Sequence, residues 1–341
     1  MSVCKAMAVS PTQKPVSKLA NHSARGAGLL PPSFQPSLPI AVAFSGGADS
    51  TALLWACVQQ WPGQVRAIHI HHGLQEAADH FAKHCQQICH QLHVPLVQCK
   101  VNAKPEAGQS PEDAARRARY GAISEAVRTH PDLQGVTDVA VAQHADDQVE
   151  TLLLALSRGA GLPGLASMPS QWLYQGLHWH RPFLKVPGAM LRESLTQAQV
   201  DWVEDPTNQD ENLTRNRIRA QLLPVLERAF PQFRETFARS AAHAAEAQEI
   251  LDELAAATLP DILEAGCPNI QALQTLSTAR QSLVLRHWLK LHHQTTPSTV
   301  QLVQLLSQIA ACTTPGHQVH LKVGRGYVRR QGAVLTWSLE G

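Results

Sequence analysis

No apolar run in these 341 residues approaches the roughly 18 that a membrane span needs, so a soluble, cytoplasmic chain without a membrane partner is expected. No C-x-x-C occurs. The seven cysteines, Cys4, Cys57, Cys85, Cys89, Cys99, Cys267 and Cys312, are odd in number and scattered, which fits reduced thiols rather than a disulfide framework. Excess charge is lacking too. With 29 basic against 27 acidic residues, a nucleic-acid partner would have to be met by a local basic patch. G-x-G-x-x-G is absent, and so is the Walker-type lysine, because the first lysine after Gly46 and Gly47 is Lys83. Residues 1–38 hold no acidic side chain, carry Lys5, Lys14, Lys18 and Arg25, and are broken by prolines. They read as a disordered basic tail, with an organellar transit peptide as the rival.

What the chain does contain is a hydrophobic content of 44% and enough length for a core and two domains. Its most informative stretch is IAVAFSGGADSTALL, residues 40–54. An apolar run, Ile40 to Phe44, is closed by Ser45-Gly46-Gly47, which predicts a buried strand, a tight turn and then a helix. Asp49, Ser50 and Thr51 are expected to cap that helix. Helix-start N–H groups behind a turn without Cβ atoms make a seat for a phosphate.

Strand and helix patterns then alternate: strand Val65 to Ile70, helix 76–92, strand Leu96 to Val101, helix Pro111 to His130, strand Val136 to Ala142. This predicts an α/β fold with a doubly wound, mostly parallel sheet, whose ligands sit beyond the carboxyl ends of the strands. Polar residues collect there: the glycine turn, His69 to Leu74 with His71, and Gln143 to Glu150. On a helix beginning near Asp146, Asp147 and Glu150 share a face, with His144 just ahead of them. Such carboxylates suit Mg²⁺ through oxygen ligands or the proton of an attacking amine, and capping with solvated acids is the plain alternative. Arg116 and Arg119, three apart in PEDAARRARY, offer a fork of donors to a phosphate or simply meet solvent. His80 with His84 and Cys85 with Cys89 read as an amphipathic helix without zinc. Gly159, Gly161 and Gly164 suggest a mobile loop or a helix C-cap. Downstream, Leu213 to Leu254 reads as one or two long helices, residues 270–310 as further helices, and His317 to Ser338 as a basic hairpin-like end.

The string SGGADS resembles the pyrophosphatase loop of the ATP-pyrophosphatase family, matching at Ser45, Gly46, Gly47, Asp49 and Ser50. Residues 40–225 further resemble the tRNA(Ile)-lysidine synthetase family through HIHHGLQ, PEDAARRARY, AQHADDQVETLLLALSRGAGLPGLASM, RPFLKV and WVEDPTNQDENLTRNRIR. That resemblance implies a sheet of the adenine nucleotide alpha-hydrolase type at 39–225 and a smaller, mainly helical tRNA domain with a terminal hairpin at 226–341. It implies ATP and Mg²⁺ as cofactors, free L-lysine and the CAU-anticodon tRNA(Ile) as substrates, and adenylation of the wobble cytidine before lysine attacks C2. Ser45, Gly46, Gly47, Ala48, Asp49, Ser50 and His71 are expected to bind ATP; Asp49, Asp147 and Glu150 the metal. Asp49, Asp147, His144 and Arg116 are expected to act in catalysis, and Arg181, Arg215, Arg217 and Arg219 to meet RNA phosphates. Family members often carry another small C-terminal domain, for which this sequence is expected to be too short. A 2-thiolase, the adenylating partner of an amidotransferase and a non-catalytic RNA-binding protein remain the alternatives.

Overall fold

A computed structural model describes residues 27–71, 76–101, 111–314 and 316–339. The chain divides into two compact units, Met1–Ala241 and Ala242–Gly341. In order along the first run β1 (Ile40–Ala43), α1 (Ala48–Gln60), β2 (Val65–His71), α2 (Glu76–Gln91), β3 (Leu96–Lys100), α3 (Pro111–Thr129), β4 (Asp138–Ala140) and α4 (Ala145–Ser157). They are followed by α5 (Leu162–Leu165), β5 (Gln171–Tyr174), β6 (Leu177–His180), α6 (Gly188–Ala198), α7 (Thr214–Arg217), a π turn at Ile218–Leu222 and α8 (Leu223–Ala229). Helix α9 spans Phe233–Ile262.

Among the described residues six strands form one sheet, ordered β3-β2-β1-β4-β6-β5 and parallel except for β5. Ile40, Ala41 and Val42 are fully buried. Helices cover both faces of β1, which is why its sequence is continuously apolar instead of alternating. The chain leaves β1 towards β2 and β3 on one side and returns through β4 and β6 on the other. The carboxyl end of β1 therefore lies at the point where strand order reverses, the natural place for a ligand cleft. Helix α1 is buried from Ala48 to Cys57 apart from Asp49 and fixes the turn in front of it.

Several expectations need correction. Residues 27–38 are not a loose tail, because Leu29, Leu30 and Phe34 are buried in the core and Phe34 meets Trp61 edge-on at 5.5 Å. Residues 1–26 lie outside the described residues. Strands β5 and β6 were not anticipated. They form a hairpin whose turn residues, Gln175 and Gly176, both take positive φ (50° and 79°), as a type I′ turn requires. Residues 226–241, expected in the second domain, belong to the first unit: Phe233 is buried with Val149 and Leu223. The helical stretch from Leu213 is broken by the π turn and by Pro224 at the start of α8.

The second unit contains the ribbon β7 (Leu263–Glu264) and β8 (Cys267–Pro268), helices α10 (Ile270–Gln274), α11 (Thr278–His293) and α12 (Thr299–Ala310), and strands β9 (His320–Val323), β10 (Gly326–Gln331) and β11 (Val334–Ser338). The expected terminal hairpin is a three-stranded antiparallel meander. Trp288, Leu285, Leu289, Leu305, Ile309, Val328 and Leu335 make its core. Among the described residues no helix is long and apolar enough to cross a membrane.

Candidate functional site

Between β1 and α1 the backbone forms a cradle. Gly46 has φ +87°, and a Cβ there would sit 3.0 Å from Cys85 Sγ, so both conformation and space demand glycine. Its carbonyl accepts from Val203 N–H at 3.0 Å, tying the turn to the loop before Pro206. Gly47 is the N-cap of α1 and no side chain caps the helix, contrary to the capping expected of Asp49, Ser50 and Thr51. Ser50 Oγ donates instead to Gly47 O at 3.1 Å and accepts from Ser45 N at 3.2 Å, while the two serine hydroxyls stand 2.9 Å apart. The serines thus lock the turn on itself and leave the helix start to an anion.

Asp49, on the first turn of α1, faces the start of α4. His144 is the N-cap of α4, and Asp147 Oδ2 reciprocally accepts from His144 N at 3.0 Å. The His144 ring is enclosed by three carboxylates: Nε2 lies 3.5 Å from Asp49 Oδ2 and 3.6 Å from Asp147 Oδ2, and Nδ1 lies 3.6 Å from Asp146 Oδ2. Burial works against the imidazolium, but these acids outweigh it and raise His144 to about 9. Nδ1 is also 3.2 Å from Asp146 N–H, a cap that needs the neutral ring. Cap and full ion-pair set are alternatives between which the charge on the ring decides. Asp146 turns away from the cleft. Its carboxylate accepts from Gly188 N at 2.9 Å and from Arg234 Nε at 2.6 Å. Asp49 Oδ1 is buried without a hydrogen-bond partner among the described residues.

A cleft of about 730 Å³ opens beside these groups, lined among others by Ser45, Gly47, Ala48, Asp49, Ser50, His71 and Asp147. The polar ends of β1, β2 and β4 do converge. Gly46 is not part of the lining and serves the turn's conformation. His144 is not part of it either: only 6% exposed, it stands behind Asp49 and Asp147, away from the surface where the catalytic part expected of it would need it.

Glu150 was expected to hold metal. It is fully buried outside the lining, its Oε1 accepting from Arg219 Nε at 2.8 Å and its Oε2 lying 3.6 Å from Arg215, so it is the counter-ion of two arginines. Burial raises its pKa against the pull of those arginines. Arg219, expected on an RNA surface, lines the cleft and also pairs with Asp147 Oδ1 at 3.1 Å. Arg181 is corrected outright: it is 3% exposed, donates to Gln143 Oε1 and Pro169 O, and lies 3.8 Å over the Trp172 ring. No surface phosphate can reach it. Arg217 remains exposed, held loosely by Glu211 O and Thr214 Oγ1. Arg116 lies 5.4 Å over the Tyr120 ring, and its neighbour Arg119 is the one that lines the cleft.

Sequence reasoning missed Arg192 as a cleft residue, and it placed Gln143 at the head of the polar segment after β4 without giving it a role. Arg192 sits on α6 with no motif around it and pairs with Glu204 at 3.4 Å. Glu204, Asp205, Thr207 and Asn208 line the opposite wall. Their loop is held by buried Asn216, whose Nδ2 donates to Thr207 O and Asp210 O.

Comparison with known proteins agrees with this geometry. The PP-loop domain family matches residues 18–226, and the TilS substrate binding domain family matches residues 269–335. A tRNA(Ile)-lysidine synthase of Polaromonas naphthalenivorans is 56% identical over 302 residues, 89% of this chain and 90% of the relative. A protein of the same name from Escherichia coli O157:H7 is 38% identical over 307 residues, 88% of this chain and 69% of the relative. Among solved structures, the U34-tRNA thiolase NcsA from Methanococcus maripaludis, with its [4Fe-4S] cluster, superposes with TM-score 0.55 at 13% identity, covering 68% of this chain and 80% of that one, a likeness of fold. On sequence and fold together, the chain belongs to the tRNA(Ile)-lysidine synthase family of enzymes.

Proposed function

We propose that this chain uses ATP to join free L-lysine to C2 of the wobble cytidine in the CAU-anticodon tRNA(Ile), in the cytoplasm. The carrying observation is the convergence of an uncapped phosphate cradle, four carboxylates and three arginines in one cleft. Cytosine O2 attacks the α-phosphorus of ATP and pyrophosphate leaves; the lysine ε-amine then attacks C2, the C2–O bond breaks and AMP departs. The cradle from Ser45 to Ser50 holds the leaving phosphates, and Arg119, Arg192 and Arg219 face the charge that develops on them. Asp147 and Glu204 give the same cleft the negative charge that draws in a cationic lysine. The target base has to be splayed out of the anticodon stack to enter.

A divalent cation fits the donor set. Asp49 Oδ1 is a buried oxygen without a partner among the described residues, and Asp147 stands on the same wall, although its oxygens are already engaged by His144 N–H and Arg219. Mg²⁺ held there would offset phosphate charge. In the second unit, exposed Lys322 and half-buried Arg329 support contact with tRNA phosphates.

The test is to supply ATP, Mg²⁺, labelled lysine and a CAU tRNA(Ile) transcript. Lysine should enter the RNA only with ATP. Release of AMP without lysine transfer would favour the thiolase alternative, although burial raises Cys85 and Cys89 to about 12 and makes them poor sulfur carriers.

A further inference from the structure

Gln143 follows β4 and lines the cleft. Its Oε1 accepts from Arg181 Nε at 3.1 Å. A guanidinium only donates, so the amide oxygen must face Arg181 and the amide orientation is settled by chemistry. No described residue takes a hydrogen bond from Gln143 Nε2, which leaves the NH2 group for the cleft.

Arg181 cannot swing aside. It donates from Nη1 to Pro169 O at 2.7 Å, lies 3.8 Å over Trp172, and Trp172 is itself stacked on buried Trp179 with ring centroids 5.7 Å apart. Burial pulls its pKa below the usual arginine value, yet it stays charged at neutral pH. A desolvated charge is being used to fix one amide at the cleft wall.

We infer that Gln143 is a specificity-determining residue that donates from Nε2 to a ring or carbonyl acceptor on a substrate base, and that Arg181 is its positioning residue. This rests on the reaction proposed above. Both bases in that reaction offer such acceptors, cytosine at O2 and N3 and adenine at N1, N3 and N7. Uracil carries a hydrogen at N3 and would oppose the donor there.

The test compares wild type with Gln143→Glu, which turns a donor into an acceptor at constant size, and with Gln143→Met, which removes both polar atoms. ATP affinity without tRNA and kcat/KM for lysine transfer are read together, with melting curves as a control. Loss of the donor should cost about tenfold to a hundredfold in one of the two. A weakened ATP complex assigns the contact to adenine. Unchanged ATP affinity with a fallen kcat/KM assigns it to cytidine, and Gln143→Glu should then narrow the preference for cytidine over uridine at the target. Arg181→Met should lower the same quantity, and combining it with Gln143→Glu should add little, a non-additivity that a merely structural arginine would not produce. Wild-type values of both quantities in folded Gln143→Glu or Gln143→Met would overturn the inference. A wild-type chain that transfers no lysine would instead overturn the reaction, and the ATP arm would still decide the adenine contact.

Discussion

Asp138 and His144 stand at the two ends of the β4 segment, and each brings a histidine together with carboxylate. At the first, His180 Nε2 is 2.6 Å from Asp138 Oδ1, the Thr137 hydroxyl donates to Oδ2 at 2.7 Å, and the Phe34 ring lies 5.4 Å from the imidazole. Both carboxylate oxygens are matched and sealed. At the second, three carboxylates surround one imidazole with no contact shorter than 3.5 Å, and Asp49 Oδ1 has no partner among the described residues. A matched pair stabilises the sheet. In the cluster Asp146 and Asp147 are matched by Arg234 and Arg219, and Asp49 keeps one oxygen that a cation, a phosphate-bound metal or an amine can satisfy, which is how a site differs from a clamp of the same residue types.

Substitutions at four positions would break or sharpen that contrast. The largest effect is expected of Asp49→Asn: lysine transfer should fall by about 10²- to 10³-fold, as for loss of one preorganised charge-stabilising group, while the protein still folds, with a melting temperature lowered only slightly by loss of the ion pair to His144. Asp138→Ala should do the reverse, destabilising by about 3 kcal/mol in chemical denaturation while each folded molecule keeps its activity. Burial opposes the Asp138 charge, but Thr137 and His180 hold its pKa below the ordinary 3.8. Its stabilisation is thus complete above that value and lost as pH falls through the lower, folded one, so the stability gap between wild type and Asp138→Asn should close in acid. Gly188→Ala comes next. A Cβ there would lie 3.0 Å from His144 Cε1 and 3.2 Å from Asp146 Oδ2, and overpacking of this kind should cost about 1–3 kcal/mol and disturb the Asp49 side of the cleft, read by melting and ATP affinity. The smallest effect belongs to exposed Arg217→Ala: unchanged melting, and a slope of log tRNA affinity against log salt reduced by about one.

The same contrast marks how far the sequence could be read. The buried run at Ile40, the glycine turn and the alternation through β4 are local signals, and the strands and cleft stand where they pointed. The β5–β6 hairpin carried a local signal that went unread: Trp172, Tyr174, Leu177 and Trp179 alternate around the short turn Gln175-Gly176. Other features were not local. Asp147 and Glu150 share a helix face, yet one meets the cleft and the other is buried under Arg215 and Arg219, which come from far along the chain. Arg181 and Arg217 look alike as letters, and only packing against Trp172 separates a buried tether from an exposed cation. Phe34 behaves likewise, its tail-like neighbours hiding a residue the core requires.

The most direct measurement is transfer of labelled lysine to the CAU tRNA(Ile) by wild type, Asp49→Asn and Asp138→Asn, each normalised to the folded protein present. The Asp49 cluster as the seat of chemistry predicts a folded, inactive Asp49→Asn beside an Asp138→Asn that turns over like wild type. Lysine transfer at the wild-type rate by Asp49→Asn would contradict it.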